Sequence, residues 1–114
     1  MSEPETISFE HFEAVKIHVG TVLKAAPNVK ARKPAYVLEI DFGDLGVKRS
    51  SAQITENYDP EGLVGRQVVA VLNFPAKRVA GVKSECLVLA ALSGQSGIIL
   101  LSADKPVENG TRVL

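Results

Sequence analysis

Three side chains in this 114-residue sequence have the chemistry of a nucleophile or a neutral-pH acid–base: His11, His18 and Cys86. A hydrolase or transferase would need a nucleophile beside a histidine base, or paired carboxylates in an apolar pocket. Both histidines fall in the first fifth of the chain, His11 in a helical pattern and His18 at the start of an extended run, and each reads as a surface or structural histidine. Cys86 lies inside an apolar stretch, where a thiol behaves as a small hydrophobe and burial raises its pKa, so it reads as an inert core residue. A single cysteine excludes an intramolecular disulfide, and with two histidines there is no cluster at metal-ligand spacing. The phosphate-cradling and nucleophile-elbow motifs G-x-x-x-x-G-K-[ST], G-x-G-x-x-G and G-x-S-x-G are missing. The expectation is a binding protein without catalytic residues, metal or cofactor.

Charge is the next source of chemistry. Thirteen Lys and Arg balance thirteen Asp and Glu, which argues against a uniformly basic surface. The distribution is segregated. Residues 14–38 carry Lys16, Lys24, Lys30, Arg32 and Lys33 with no acid, and residues 62–84 carry Arg66, Lys77, Arg78 and Lys83, again with none. Acids gather in residues 1–13, 39–44 and 56–61. This pattern permits a basic face opposite an acidic one, and it is equally compatible with solvated loops. The acidic start of the chain is broken by Pro4 and lacks a basic or apolar leader pattern, and no run approaches the length of a membrane span. A protein of the reducing cytoplasm, with no integral membrane contact, is expected.

The elements that must position these residues follow from periodicity. Residues 8–16 read as a short amphipathic helix with Ser8 as N-cap and Phe9, Phe12 and Val15 on one stripe. Residues 17–25 read as a strand whose Gly20 marks a bulge or tight bend. Tyr36, Leu38, Ile40 and Phe42 alternate with Val37, Glu39 and Asp41, and residues 47–54 resume an extended run after a glycine turn, which predicts a hairpin over 35–54. Residues 57–65 form a loop or single helical turn. Residues 68–74 are nearly continuously apolar, like a strand buried on both faces, and Pro75 closes them. A basic loop over 76–84 precedes strands at 85–92 and 98–102 joined by the Gly94–Gly97 turn, and Asn109-Gly110 turns the chain into a last extended piece at 111–114. Few aromatics, no Trp and many Val, Ile, Leu and Ala suit a compact β core. Five or six short strands with one helix predict an all-β, nearly closed small barrel, with residues 1–114 as one domain.

Two segments carry a family resemblance. Arg49-Ser-Ser-Ala-Gln-Ile54 resembles the Ser/Gln-Ile strand of tRNA-binding OB-fold domains, and residues 65–85, with a valine-rich strand, Asn73-Phe74-Pro75, a basic stretch, Gly81 and Ser84-Glu85, resemble the family's second block. Val15-Lys-Ile-His-Val-Gly-Thr-Val22 is similar to its opening strand, so the match runs through nearly the whole chain. The resemblance implies a five-stranded Greek-key OB barrel with a short N-terminal helix and terminal extensions. Ser50–Ile54, Tyr58, Pro60-Glu-Gly62, Val79-Ala-Gly81 and the Pro106 to Gly110 ending resemble the family's secretion-related chaperone branch. That branch implies a homodimer, formed through the terminal extensions, that binds unfolded preproteins and assists their export. A structure-specific tRNA-binding module acting in trans is the alternative within the same family.

Each ligand class implies its own contacts. For RNA, Lys30, Arg32, Lys33, Lys77, Arg78 and Lys83 would neutralise phosphates, while Ser51, Gln53, Asn73 and Ser84 would bond sugars or base edges. Equally, Gln53 and Asn73 tie down strand ends and the lysines confer solubility. An extended polypeptide calls for an apolar groove rimmed by positive charge, to which Phe74, Pro75, Val79 and Val82 would contribute, although alternation along the strand turns Phe74 toward the core. Lys77 and Arg78 are expected beside the ligand groove in either case. Phe9, Phe12, Val107 and Val113 lie on apolar extensions whose natural cover is a symmetric partner.

Overall fold

The computed structural model describes residues 4–114; the first three residues of the acidic N-terminal segment lie outside the described residues. Helix α1 (Phe9–Ala14) starts where Ser8 Oγ accepts from the His11 N–H, as its N-cap position predicts. It buries none of its own side chains. Strand β1 (Ile17–Pro27) is long enough to serve two neighbours: its first half pairs with β4 (Gln67–Val71) and its second with β2 (Tyr36–Asp41), both antiparallel. The irregularity that bends it lies between Val22 and Lys24, not at Gly20. Gly20 serves close approach instead, because a Cβ there would stand 2.6 Å from Phe42 Cδ1 and 2.7 Å from Ile40 Cγ2.

The alternation over Tyr36–Phe42 emerges as predicted, with Tyr36, Leu38, Ile40 and Phe42 buried. A 3-10 turn (Gly43–Leu45) leads into β3 (Val47–Ala52), completing the hairpin, and α2 (Pro60–Leu63) is the single helical turn whose Leu63 plugs the core. Strand β4 buries Val68 to Val71 but stops there, three residues before the predicted end.

The predicted basic loop is instead a tight ribbon of β5 (Lys77–Val79) and β6 (Val82–Ser84). Its two-residue turn places Ala80 at φ 47° and Gly81 at φ 83°, and positive φ at both central positions matches the twist of a two-residue hairpin. The predicted strand at 85–92 is broken into β7 (Leu87–Val88) and β8 (Ala90–Ser93), and β9 (Gly97–Leu100) pairs back on β8.

The main sheet runs β3-β2-β1-β4-β7. Its outer strands β3 and β7 approach each other without pairing, so this OB-type barrel is nearly closed and keeps one seam. Val22, Leu38, Ile40, Phe42, Leu63 and Val68 fill its centre at 0–1% exposure, close to the packing expected of a core without voids. The C-terminal tail supplies a further edge: the Val19 N–H donates to the Thr111 carbonyl (2.9 Å), Gly110 N–H to Val19 (2.7 Å) and Val113 N–H to Ile17 (2.9 Å). It occupies the length of β1 that β2 leaves bare.

Candidate ligand-binding cleft

The barrel seam is where exposed apolar surface and polar groups meet. A depression of about 280 Å³ is lined by Phe74, Pro75, Val79 and Leu87 with Ser51, Lys77, Ser84, Glu85 and Cys86. A second of about 320 Å³ adjoins it along the seam, sharing Ser51 and Leu87 and adding Gln53, Ile54, Val88 and Ile98. One end of the seam is laced shut: Ser51 N–H donates to Ser84 Oγ (3.2 Å), Glu85 N–H to the Arg49 carbonyl (2.8 Å) and Arg49 N–H to Glu85 Oε1 (3.2 Å). These bonds fix the ribbon against β3 and give the cleft a rigid wall.

Phe74 is half exposed, at 51%, and faces this cleft, which corrects the expectation that strand alternation turns it inward. The reason is local. Once the chain leaves β4 after Val71, the two-residue period no longer applies, and Pro75 cannot donate a ladder hydrogen bond. Leu87, half exposed in the same cleft, was missed; the apolar run from Leu87 onward was the available signal.

The same periodicity divides the basic residues. Lys77 pairs across the ribbon with Ser84, Val79 with Val82, and Arg78 with Lys83. Lys77, Val79 and Ser84 line the cleft, so alternation puts Arg78 and Lys83 on the opposite face of the ribbon. The expectation that Arg78 lies beside the groove together with Lys77 is therefore corrected: Arg78 turns away and its Nη1 donates to the Gly81 carbonyl at 3.3 Å. Val82 is half-buried in the ribbon and is not among the lining residues.

The loop between β1 and β2 reaches the ribbon tip, where Lys30 Nζ lies 3.6 Å from the position a Gly81 Cβ would take. Arg32 and Lys33 are exposed on that loop. The two acid-free segments thus converge at Gly81. Arg66 stands apart, its guanidinium 5.3 Å over the Tyr58 ring.

Asn73 is not brought to the cleft. Its Oδ1 accepts from Lys16 N–H (2.8 Å) and its Nδ2 donates to the Ala14 carbonyl (2.7 Å), so both ends of the amide fasten α1 to β1. His18 Nδ1 lies 2.9 Å from the Gly110 carbonyl, holding the tail. Burial pushes the Cys86 thiol up to about 11, reinforced by the Glu85 carboxylate and partly offset by Lys48, so it stays protonated at neutral pH.

Phe9 is exposed at 70% and stacks obliquely on Phe12, with ring centroids 5.8 Å apart. Val107 and Val113 are half-buried against their own barrel, Val107 through a two-way bond with the Gln67 side chain.

An OB-type barrel with a ligand-sized seam, a basic loop pair and no assembled catalytic pair among the described residues has the anatomy of a binding module. Residues 17–112 match the family described as "Putative tRNA binding domain", and the chain belongs to that family. The chaperone CsaA from Bacillus anthracis is 49% identical over 96% of this chain and 100% of its own, with a TM-score of 0.91. The CsaA chaperone protein from Picrophilus torridus is 42% identical over the same shares, at 0.90. The methionine–tRNA ligase of Archaeoglobus fulgidus is 40% identical over 99% of this chain, but this chain spans 17% of that enzyme. Relatives of this kind therefore share one domain with this chain and not a whole enzyme.

Proposed function

We propose that this protein is a non-enzymatic chaperone, similar to CsaA, that holds unfolded preprotein segments and assists their export from the cytoplasm. The observation that carries the reading is the seam cleft. Phe74 and Leu87 leave about half their surface open in one depression whose rim offers Lys77, Ser51 and Ser84. An apolar floor with a few polar groups suits an extended chain of varied sequence, because burial is non-directional while hydrogen bonds to the rim tolerate any backbone. The protein acts as a homodimer in which Phe9 and Phe12, with the tail bearing Val107 and Val113, meet their symmetry mates. Supporting this, α1 buries nothing within its own chain. Two cleft-bearing protomers would raise avidity for long unfolded chains.

An RNA-binding module acting in trans is the second reading. It is favoured by the family and by the gathering of Lys30, Arg78 and Lys83 around the ribbon turn. Fluorescence anisotropy of bulk tRNA and of a reduced, unfolded preprotein, each titrated with salt, separates the two. The chaperone reading requires a salt-tolerant hold on the polypeptide. A steeply salt-dependent hold on tRNA, with none on the polypeptide, would leave the RNA module alone standing.

A further inference from the structure

We propose that the β5–β6 ribbon carries two independent binding faces: the Lys77 face closes the cleft, and the Arg78–Lys83 face is a separate phosphate ridge for RNA, so that one protomer holds RNA and polypeptide together. The polypeptide half rests on the function proposed above; the RNA half does not.

The partition follows from register. Cross-strand partners in a two-stranded ribbon share a face, and Lys77, Val79 and Ser84 are all cleft-lining. Arg78 and Lys83 are direct partners on the other face, and both are exposed. Like charges placed opposite each other across a ribbon repel. No acid relieves them: among the described residues, the one ion pair within 4 Å joins Arg49 to Glu39. The Arg78 guanidinium returns to the Gly81 carbonyl, and Lys30 is laid against Gly81 from the neighbouring loop. Three cations are thus held at one turn, facing solvent, with no protein counter-ion.

An evenly spaced polyanion is the partner whose charge complements that ridge, and its binding would release counter-ions. An unfolded polypeptide offers no such regular charge. The cleft lies on the other side of the ribbon, so occupation of one face leaves the other open.

The test uses the full chain with fluorescein-labelled bulk tRNA and a labelled, reduced, unfolded preprotein. Arg78→Glu with Lys83→Glu should weaken tRNA binding at least tenfold in low salt and flatten the slope of log K against log salt by about two units, from roughly 0.9 per lost phosphate contact. Lys77→Glu should leave that slope within half a unit of wild type. Arg78→Gln with Lys83→Gln guards against misfolding, and should show the same flattening with unchanged circular dichroism. In the wild type, saturating unlabelled tRNA should leave the preprotein anisotropy unchanged. An unaltered tRNA slope in both double variants would remove the ridge. Displacement of preprotein by tRNA in equal measure would refute independent faces. A wild type that binds tRNA but no preprotein would overturn the chaperone reading and joint occupancy, while the slope still decides the ridge.

Discussion

Replacing Gly110 with Ala tests whether the C-terminal tail is a working part of the barrel. Gly110 adopts φ 92°, and a Cβ there would stand 2.6 Å from the Phe42 carbonyl oxygen. Neither problem has a side-chain solution, because the obstacle is backbone. The conformation alone costs an L-residue about 1–2 kcal/mol. The collision is relieved by peeling the tail from β1, which breaks the backbone bonds of Val19 N–H, Gly110 N–H and Val113 N–H, each with a net worth of about 1 kcal/mol. Peeling also recovers chain entropy, so the two routes together limit the loss to about 3 kcal/mol. For a domain of this size that is a fall in Tm of about 12 °C, at roughly 4 °C per kcal/mol. Thermal unfolding with amide exchange is the assay. The amides of Val19 and Val113 should lose protection first, since their partners move. Gly94→Ala, where an added Cβ meets nothing within 4 Å, is the control and should be nearly silent. A Gly110→Ala protein melting within about 2 °C of wild type, with Val19 and Val113 still protected, would refute the reasoning.

Further outcomes follow from other contacts. Asn73→Ala removes both bonds that fasten α1 to β1 at an exposed site and should lower stability by about 1 kcal/mol, read as a denaturant midpoint shift without a change in m. Because burial raises the Cys86 pKa from 9.0 to about 11, the unfolded chain releases this proton first as pH rises. Stability contributed by the protonated thiol is therefore complete below pH 9 and is lost between pH 9 and 11, and Cys86→Ala should abolish that component of a pH-dependent urea series. The native thiol should also resist a disulfide reagent at pH 8 and react promptly in urea. Phe9→Ser with Phe12→Ser should halve the mass seen by light scattering at micromolar concentration while the melting of the barrel is retained, because α1 contributes nothing to the core.

Local signals were enough for most of the barrel. Alternation placed Tyr36, Leu38, Ile40 and Phe42 inside, Ser8 began the helix, and the glycine turns at 43–46 and 94–97 separated strands, because each depends on neighbours in sequence. The ribbon at 77–84 was read as a loop, since its strands are three residues long and its turn uses Ala80, a residue without a turn signature, at positive φ. The role of Gly20 was equally hidden. Its hydrogen is required by the Phe42 ring, two strands of chain away.

For the site, residue types were legible and their grouping was not. Basic residues, Ser51, Ser84 and the exposed apolar pair could be nominated from type and spacing, but which of them share a surface depends on strand pairing. A shift of one residue in the Lys77–Ser84 register would exchange Lys77 and Arg78 between the cleft and the outer ridge. Asn73 shows the same limit, its amide spent on α1 by a contact that spans more than half the chain. Composition and periodicity determined a small barrel with binding rather than catalytic chemistry, because burial and strand period are local averages. The seam, the division of the cations and the docking of the tail were decided by tertiary structure, because they rest on long-range pairings whose geometry no local window contains.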